Sequence, residues 1–244
     1  MQPPSVHEIA PGIHRISTFL PNVGPEGFSF NQFLVVADEP LLFHSGPRGM
    51  FPLIAEAVNS VMPVEKLRWI SFGHVESDEC GSMNMWLSAA PRSQVVFNPL
   101  GCDVSLNDLC DRAPLAVGDG EVIDLGGKRL RLLTTPHVPH GWEAQVMFEE
   151  TTGTLLCGDL MSQLGGGAPI TNKDVVEAAL HAERIFHQTS PGMNAVHTLR
   201  KLAELSPQRL AIMHGPSFEG DGRKALLDLA DGYAAFQDEA SRAA

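Results

Sequence analysis

The chain has 244 residues, of which 43% are hydrophobic, and a formal net charge of −12 at pH 7. This composition is typical of a soluble globular protein, and the excess of acidic residues argues against a nucleic-acid-binding surface or binding to an anionic membrane. The N-terminus lacks the apolar core of a signal peptide, and no apolar run approaches the roughly 18 residues that span a bilayer, so we expect a cytoplasmic protein.

In the first half of the chain, short apolar runs separated by turns predict mainly strands. A helix is predicted at residues 50–62, where apolar residues recur at helical spacing and the pattern stops at Pro63. The other predicted elements are strands at 13–16, 32–36, 41–43, 69–72 and 94–97, and a helix at 82–89.

In the second half, strand patterns give way to helical ones. The Gly126-Gly127 turn between two apolar runs predicts a hairpin. Thr171 and Asp174 have the spacing of a capping box before a helix. Strands are predicted at 122–125, 129–133, 144–148, 154–157 and 209–213, and helices at 173–187, 195–205 and 223–236.

This order of elements predicts one α/β (α+β) domain over residues 1–244, without internal repeats or linkers. It fits an αββα sandwich, in which two mixed β-sheets pack face to face with helices outside. Periodicity alone also allows other α/β layouts.

One short loop combines three residue types that bind metals. His74, Glu76 and Asp78 alternate directly after the strand predicted at 69–72. In extended backbone, residues two apart point to the same side, so this HxExD triplet can direct an imidazole and two carboxylates at one point. Taken alone, the triplet could also be an ordinary solvated loop.

Three later residues strengthen the prediction of a metal site. His140, Asp159 and His214 each follow a predicted strand and lie beside a glycine. Strand ends are rigid positions at which loops converge, so such residues are well placed to form one site. Four separate loops then offer three histidines and three carboxylates.

The sequence of these motifs resembles the metallo-β-lactamase-like domain of flavodiiron proteins, and most closely the stand-alone oxygen-binding diiron (ODP) branch. The resemblance extends over residues 27–35, 74–87, 140–159 and 210–216. It implies a metallo-β-lactamase fold with two iron ions. One iron would be bound by His74, Glu76 and His140 and the other by Asp78 and His214, with Asp159 bridging both.

The ligand types agree with this implication. Mixed carboxylate and imidazole donors suit Fe or Mn, and the lack of thiolate donors argues against a structural Zn site, although Zn stays an alternative. The four cysteines form no CxxC pair, so a rubredoxin-type iron site is not expected and free thiols are predicted. A Cys102–Cys110 disulfide is the less favoured alternative.

Hydrolases of this fold usually carry HxHxDH, and two positions depart from that pattern. Glu76 and Glu79 stand where those enzymes have histidines. The added negative charge favours redox iron over hydrolytic zinc. We expect Glu79 to contact a ligand and not a metal, with a role as an extra ligand as the alternative.

Three further residues have two interpretations each. His44 replaces the usual Asp of the fold after the early strand, and could contact a ligand or be a half-buried loop residue. Trp142 could line the pocket or belong to the core. His137 lies three residues before His140 and could line the pocket too, but is expected to have no role at the metals.

The resemblance implies a non-haem diiron protein that binds and reduces O2 or NO, as a scavenger or sensor. No flavodoxin domain, rubredoxin domain or FMN is expected in this chain, so electrons would come from a separate donor protein. The alternatives are a dinuclear metallo-hydrolase acting on an ester, lactone or phosphoester, and a sensor without enzymatic activity. A homodimer is also expected.

Overall fold

The structure is a computed structural model that describes residues 3–189 and 193–243. Within these residues, two seven-stranded sheets form the centre of the molecule. The first sheet has its strands in sequence order, antiparallel from β1 to β4 and parallel from β4 to β7. These strands are β1 (Ser5–Ala10), β2 (Ile13–Leu20), β3 (Phe28–Val35), β4 (Leu41–Phe43), β5 (Trp69–Ser71), β6 (Gln94–Phe97) and β7 (Leu115–Ala116).

The second sheet is also mixed, with the strand order β12-β14-β13-β11-β10-β9-β8. Its parallel pairs are β12 with β14 and β11 with β13, and its other neighbours are antiparallel. The strands are β8 (Val122–Asp124), β9 (Arg129–Thr134), β10 (Gln145–Glu149), β11 (Thr154–Leu156), β12 (Ile170–Thr171), β13 (Arg209–Ala211) and β14 (Ser217–Glu219).

Eight α-helices accompany the sheets in the described residues, and a π-helical turn at Cys102–Leu106 joins α4 to α5. The helices are α1 (Phe51–Val61), α2 (Ser77–Cys80), α3 (Met83–Ala89), α4 (Pro99–Gly101), α5 (Asn107–Leu109), α6 (Val176–Phe186), α7 (Met193–Ala203) and α8 (Gly222–Ala243).

Side-chain alternation along β3 shows how the layers form. Phe33 and Val35 point toward the second sheet and pack there with Leu132 and Leu156, whereas Leu34 points the other way. All five of these strand side chains, counting both sheets, are fully buried. The last three residues of β3, Phe33–Val35, are therefore all apolar, as is typical where a strand is buried on both faces.

Helices cover the outer face of each sheet. On α1, Ile54 and Val58 pack against the first sheet, together with Trp86 of α3. On the second sheet, α6, α7 and α8 bury side chains such as Leu199 and Leu229. These contacts confirm the predicted αββα sandwich of two mixed sheets flanked by helices.

Several local predictions differ from the structure. Four strands were not predicted, namely β1, β7, β12 and β14. The Thr171/Asp174 capping box is wrong: Thr171 belongs to β12, α6 begins at Val176, and the Asp174 carboxylate accepts from the Val176 N–H. All four cysteines are free thiols. In the described part of the chain, no helix has the length and apolar character to cross a bilayer.

The topology brings the candidate site residues to one edge of each sheet. His44 follows β4 and His74 follows β5, and these strands are parallel neighbours. Asp159 follows β11 and His214 follows β13, which are parallel neighbours in the second sheet. Because parallel strands end at the same edge, each sheet presents its loops on one side.

Candidate metal centre

The HxExD loop leaves the first sheet at the end of β5. Glu76 has extended backbone angles, φ −137° and ψ 157°, and precedes α2. His74 and Glu76 therefore point to the same side, as expected. Asp78 differs from the prediction, because it lies in the first turn of α2 and not in extended backbone.

Four of the predicted ligands form one group. The Nε2 atoms of His74 and His140 lie 2.7 Å and 3.1 Å from Oε2 of Glu76. Oδ2 of Asp159 lies 3.9 Å from His74 Nε2 and 3.7 Å from His140 Nε2. One potential donor atom from each of these residues lies within 4.8 Å of all the others, which is compact enough to surround a single cation.

The other two predicted ligands form a second group around the opposite oxygen of Asp159. His214 Nε2 lies 3.1 Å from Asp159 Oδ1 and 3.4 Å from Asp78 Oδ2. Asp159 Oδ1 is buried and receives no hydrogen bond of acceptable geometry. One carboxylate thus faces two donor groups with its two oxygens, and each oxygen could contribute to holding a cation.

The three histidines share one orientation. His214 Nδ1 lies 2.7 Å from the Ser29 carbonyl oxygen, and His140 Nδ1 lies 3.1 Å from the Gln188 carbonyl oxygen. His74 Nδ1 lies 3.3 Å from Glu79 Oε1. The Nδ1 atoms of His140 and His214 therefore contact backbone carbonyl oxygens at hydrogen-bonding distance, His74 Nδ1 forms an ion-pair contact with Glu79, and each Nε2 is left to face the centre.

Aromatic rings form one wall of the second group. Phe28 stacks on His214 with ring centroids 4.0 Å apart, and Phe30 meets the same ring edge-on at 5.2 Å. Phe186 at the end of α6 packs against Phe28 at 5.5 Å. The His214 ring is consequently buried, with 3% exposure.

The carboxylates and imidazoles shift one another's pKa values strongly. Burial lowers the pKa of His74 and His214, but the neighbouring carboxylates outweigh it and raise these values to about 12 and about 10. Hydrogen bonds from His140 and His74 lower the pKa of Glu76. Burial raises the pKa of Asp159, yet the neighbouring imidazoles, His214 above all, bring it to about 2. The centre is strongly attractive to cations, whether protons or metal ions.

The other candidate residues, Glu79, His44, Trp142 and His137, differ in how deeply they are buried. Glu79 and His44 are fully buried behind His74, with Glu79 Oε1 3.7 Å from His44 Nε2. Trp142 is 55% exposed, so the interpretation as a core residue is wrong. His137 is exposed, and its backbone N–H donates to the Gly141 carbonyl oxygen.

Several supporting residues were missed by sequence reasoning. Asn31 donates through Nδ2 to the carbonyl oxygens of Ile212 and Gly215, at 2.8 and 2.9 Å, on either side of His214. Glu143 accepts from the Val75 N–H at 3.0 Å and so holds the HxExD loop. These contacts join residues far apart in the chain, and no local pattern marks them.

A family model described as ODP family beta lactamase matches residues 28–215 of this sequence, most of the chain. The chain belongs to this family. The predicted resemblance to flavodiiron-type proteins is therefore confirmed.

Curated relatives of this ODP-family chain are longer proteins. It is 22% identical, over 246 residues, to diflavin flavoprotein A 2 of Thermosynechococcus vestitus, an alignment that covers 93% of this chain and 41% of the relative. It is 28% identical, over 150 residues, to the coenzyme F420H(2) oxidase of Methanothermobacter marburgensis. This alignment covers 57% of this chain and 36% of the relative. The chain thus spans less than half the length of these relatives.

Solved structures with the same fold include rubredoxin oxygen:oxidoreductase from Desulfovibrio gigas, with a TM-score of 0.83 and 17% identity over 96% of this chain and 62% of that one. A fragment of diflavin flavoprotein A 5 from Nostoc sp. PCC 7120 has a TM-score of 0.81 and 18% identity, covering 98% and 97%. A single-site mutant of the flavo di-iron protein from Thermotoga maritima has a TM-score of 0.82 and 20% identity, covering 97% and 62%. At these identities the similarity establishes the fold of the ODP-family chain.

Proposed function

We propose that this ODP-family protein binds two iron ions and uses them to bind and reduce O2 or NO. The observation that carries the proposal is the position of Asp159. Its Oδ2 faces His74 and His140, at 3.9 and 3.7 Å, and its Oδ1 faces His214 at 3.1 Å. Two cations held by one such carboxylate would be close enough to act together on one small ligand.

The donor set supports iron as the metal. The two groups contain three carboxylates and three imidazoles and no thiolate. Such hard donors suit iron or manganese better than a closed zinc site. In this proposal His74, Glu76 and His140 bind one iron, Asp78 and His214 bind the other, and Asp159 binds both.

A bound diiron pair would offer open coordination positions and pass electrons from the donor protein to a diatomic ligand. The protein's own residues fix the donors in place. The contacts at Nδ1 hold each imidazole in one orientation, and Phe28 and Phe30 keep water from His214. Access is from the side of Glu76, whose side chain is 52% exposed.

The names of two relatives agree with this chemistry, since one is an F420H(2) oxidase and another a rubredoxin oxygen:oxidoreductase. In our proposal the electrons come from a separate donor protein, and the role is that of a scavenger or a sensor. The hydrolase alternative is not favoured, because the family and these relatives point to redox chemistry.

The test is gas consumption by iron-loaded protein with dithionite and a mediator in place of the donor protein. We expect catalytic loss of O2 or NO, measured with a selective electrode, and no catalytic loss with zinc-loaded protein at the same concentration. Equal rates for the iron and zinc forms would overturn the proposal.

A further inference from the structure

Glu79 lies against His74, a donor of the first group. Its side chain is fully buried, and Oε2 accepts hydrogen bonds from the backbone N–H groups of Gly73 and of His74, the latter at 2.8 Å. Oε1 lies 3.3 Å from His74 Nδ1. The carboxylate thus contacts the same residue twice, by a hydrogen bond from its backbone N–H and by an ion pair with its ring.

Gly73 makes the space for this carboxylate, and Gly158 borders it. A Cβ atom at Gly73 would lie 2.9 and 3.0 Å from the two carboxylate oxygens, and one at Gly158 would lie 3.5 Å from Oε1. Gly73 precedes His74 and Gly158 precedes Asp159, so the carboxylate lies between the backbones of the two ligand loops. Only glycine at position 73 leaves room for it.

His44 closes the far side of this space. Its ring is fully buried, with Nδ1 3.0 Å from the Asn31 carbonyl oxygen and Nε2 3.7 Å from Glu79 Oε1. Its backbone has a φ of 67°, in the left-handed region that few residues other than glycine adopt. This backbone conformation places the His44 ring against the Glu79 carboxylate.

We propose that Glu79 is a positioning residue for His74 and not a ligand of the second metal, so that the two metal positions are unequal. The inference rests on the proposed dinuclear site. By holding Nδ1 of His74, Glu79 fixes the tautomer and leaves Nε2 for the first metal. The first position then has four protein donors, whereas the described residues offer the second only Asp78, Asp159 and His214. The second position therefore binds its metal more weakly and keeps more sites for an external ligand.

The experiment is an anaerobic titration of the metal-free protein with Co²⁺, followed by its visible absorption bands and by calorimetry. Wild-type protein should show a tight and a weak step with distinct spectra. In Glu79→Gln the tight step should weaken by about 10–100-fold, the usual effect of losing such a contact, while the weak step is unchanged. If Glu79 is a ligand of the second metal, the weak step disappears and the tight one stays, which overturns the inference.

Glu149→Gln is a matched control for loss of a buried carboxylate. Glu149 is fully buried and accepts from two backbone N–H groups, those of Thr151 and Thr152, at 2.9 and 2.8 Å. We expect this variant to lower the melting temperature without changing either Co²⁺ step. If it weakens the tight step as Glu79→Gln does, the effect is general destabilisation and the inference fails.

Gly73→Ala tests the same contact without removing a charge. The new methyl group should displace the Glu79 carboxylate and weaken the tight step, whereas Gly49→Ala, with no atom within 4 Å of the added Cβ, should not. An unchanged tight step in folded Gly73→Ala would contradict the inference. A wild-type protein that binds fewer than two ions would instead refute the proposed dinuclear site.

Discussion

At the scale of single residues, the three site histidines show how distant parts of the chain define one centre. His214 is held through Nδ1 by the Ser29 carbonyl oxygen, 185 residues away, and His140 by that of Gln188. A residue type and its neighbouring glycine can be read from the sequence, so His140, Asp159 and His214 could be predicted as ligands. Their backbone partners could not, because any residue carries a carbonyl group.

Glu76 is the predicted ligand that can be removed with least damage to the fold. Its side chain is 52% exposed, so Glu76→Ala should lower the free energy of unfolding by no more than about 1 kcal/mol, the upper value for an exposed ion pair. It should still lower the iron content of the protein and abolish O2 or NO consumption, because His74 and His140 lose their shared anionic neighbour. Elemental analysis and the gas electrode measure both effects.

The control is Glu26→Ala, which removes another exposed carboxylate paired with a histidine. Glu26 Oε1 lies 3.3 Å from His181 Nε2, and its side chain is 55% exposed. This variant should keep full iron content and activity. Should Glu76→Ala behave in the same way, Glu76 is not a ligand.

At the scale of elements, the strands that could be predicted are those with a clear apolar pattern. β6 and β13 were recognised because short apolar runs end at turns. β1 was missed because it is an edge strand whose first residues are mostly exposed. β7 and β12 have two residues each, too few for any periodicity to appear.

The contact between β3 and the loop after β13 joins the two sheets at the site. Asn31 on β3 donates to the carbonyl oxygens of Ile212 and Gly215, and no sequence pattern indicated it. Asn31→Ala leaves two carbonyl groups without this donor in a buried region, which should cost about 1–3 kcal/mol of unfolding free energy. Denaturant unfolding measures the loss, and metal affinity should fall because His214 lies between the two carbonyls.

Asn84→Ala is the corresponding control. Asn84 also donates to a carbonyl oxygen, that of Leu109 at 2.8 Å, but near the surface where water can replace the side chain. Asn84→Ala should lower the free energy of unfolding by less than about 0.5 kcal/mol. An equal loss of unfolding free energy in Asn31→Ala and Asn84→Ala would mean that Asn31 does not link the two sheets.

At the scale of the whole molecule, metal binding should hold the two sheets together. His74, Glu76 and Asp78 follow strands of the first sheet, whereas the other predicted ligands follow strands of the second. Ions that bind only the folded chain raise its stability by mass action. The αββα architecture could be predicted from the order of elements and the resemblance, but the meeting of both sheets at Asp159 required the structure.

The stabilisation by metal should increase with pH. The pKa of His214 is raised to about 10 in the folded protein, so its stabilising contribution is full below the ordinary value near 6.5 and is lost as the pH rises toward 10. Metal binding instead requires the neutral imidazole and becomes stronger over the same range. The difference in melting temperature between metal-loaded and metal-free protein should therefore be larger at pH 9 than at pH 6.5. A difference that shrinks with pH would contradict this assignment of His214.

The central claim is a diiron centre built on Asp159, and metal content tests it most directly. Protein purified without oxygen should contain close to two irons per chain by elemental analysis, and admitting O2 should produce a new near-ultraviolet absorption band. Two zinc ions per chain with no spectral response, or one iron per chain that stays unchanged on reconstitution, would contradict the claim.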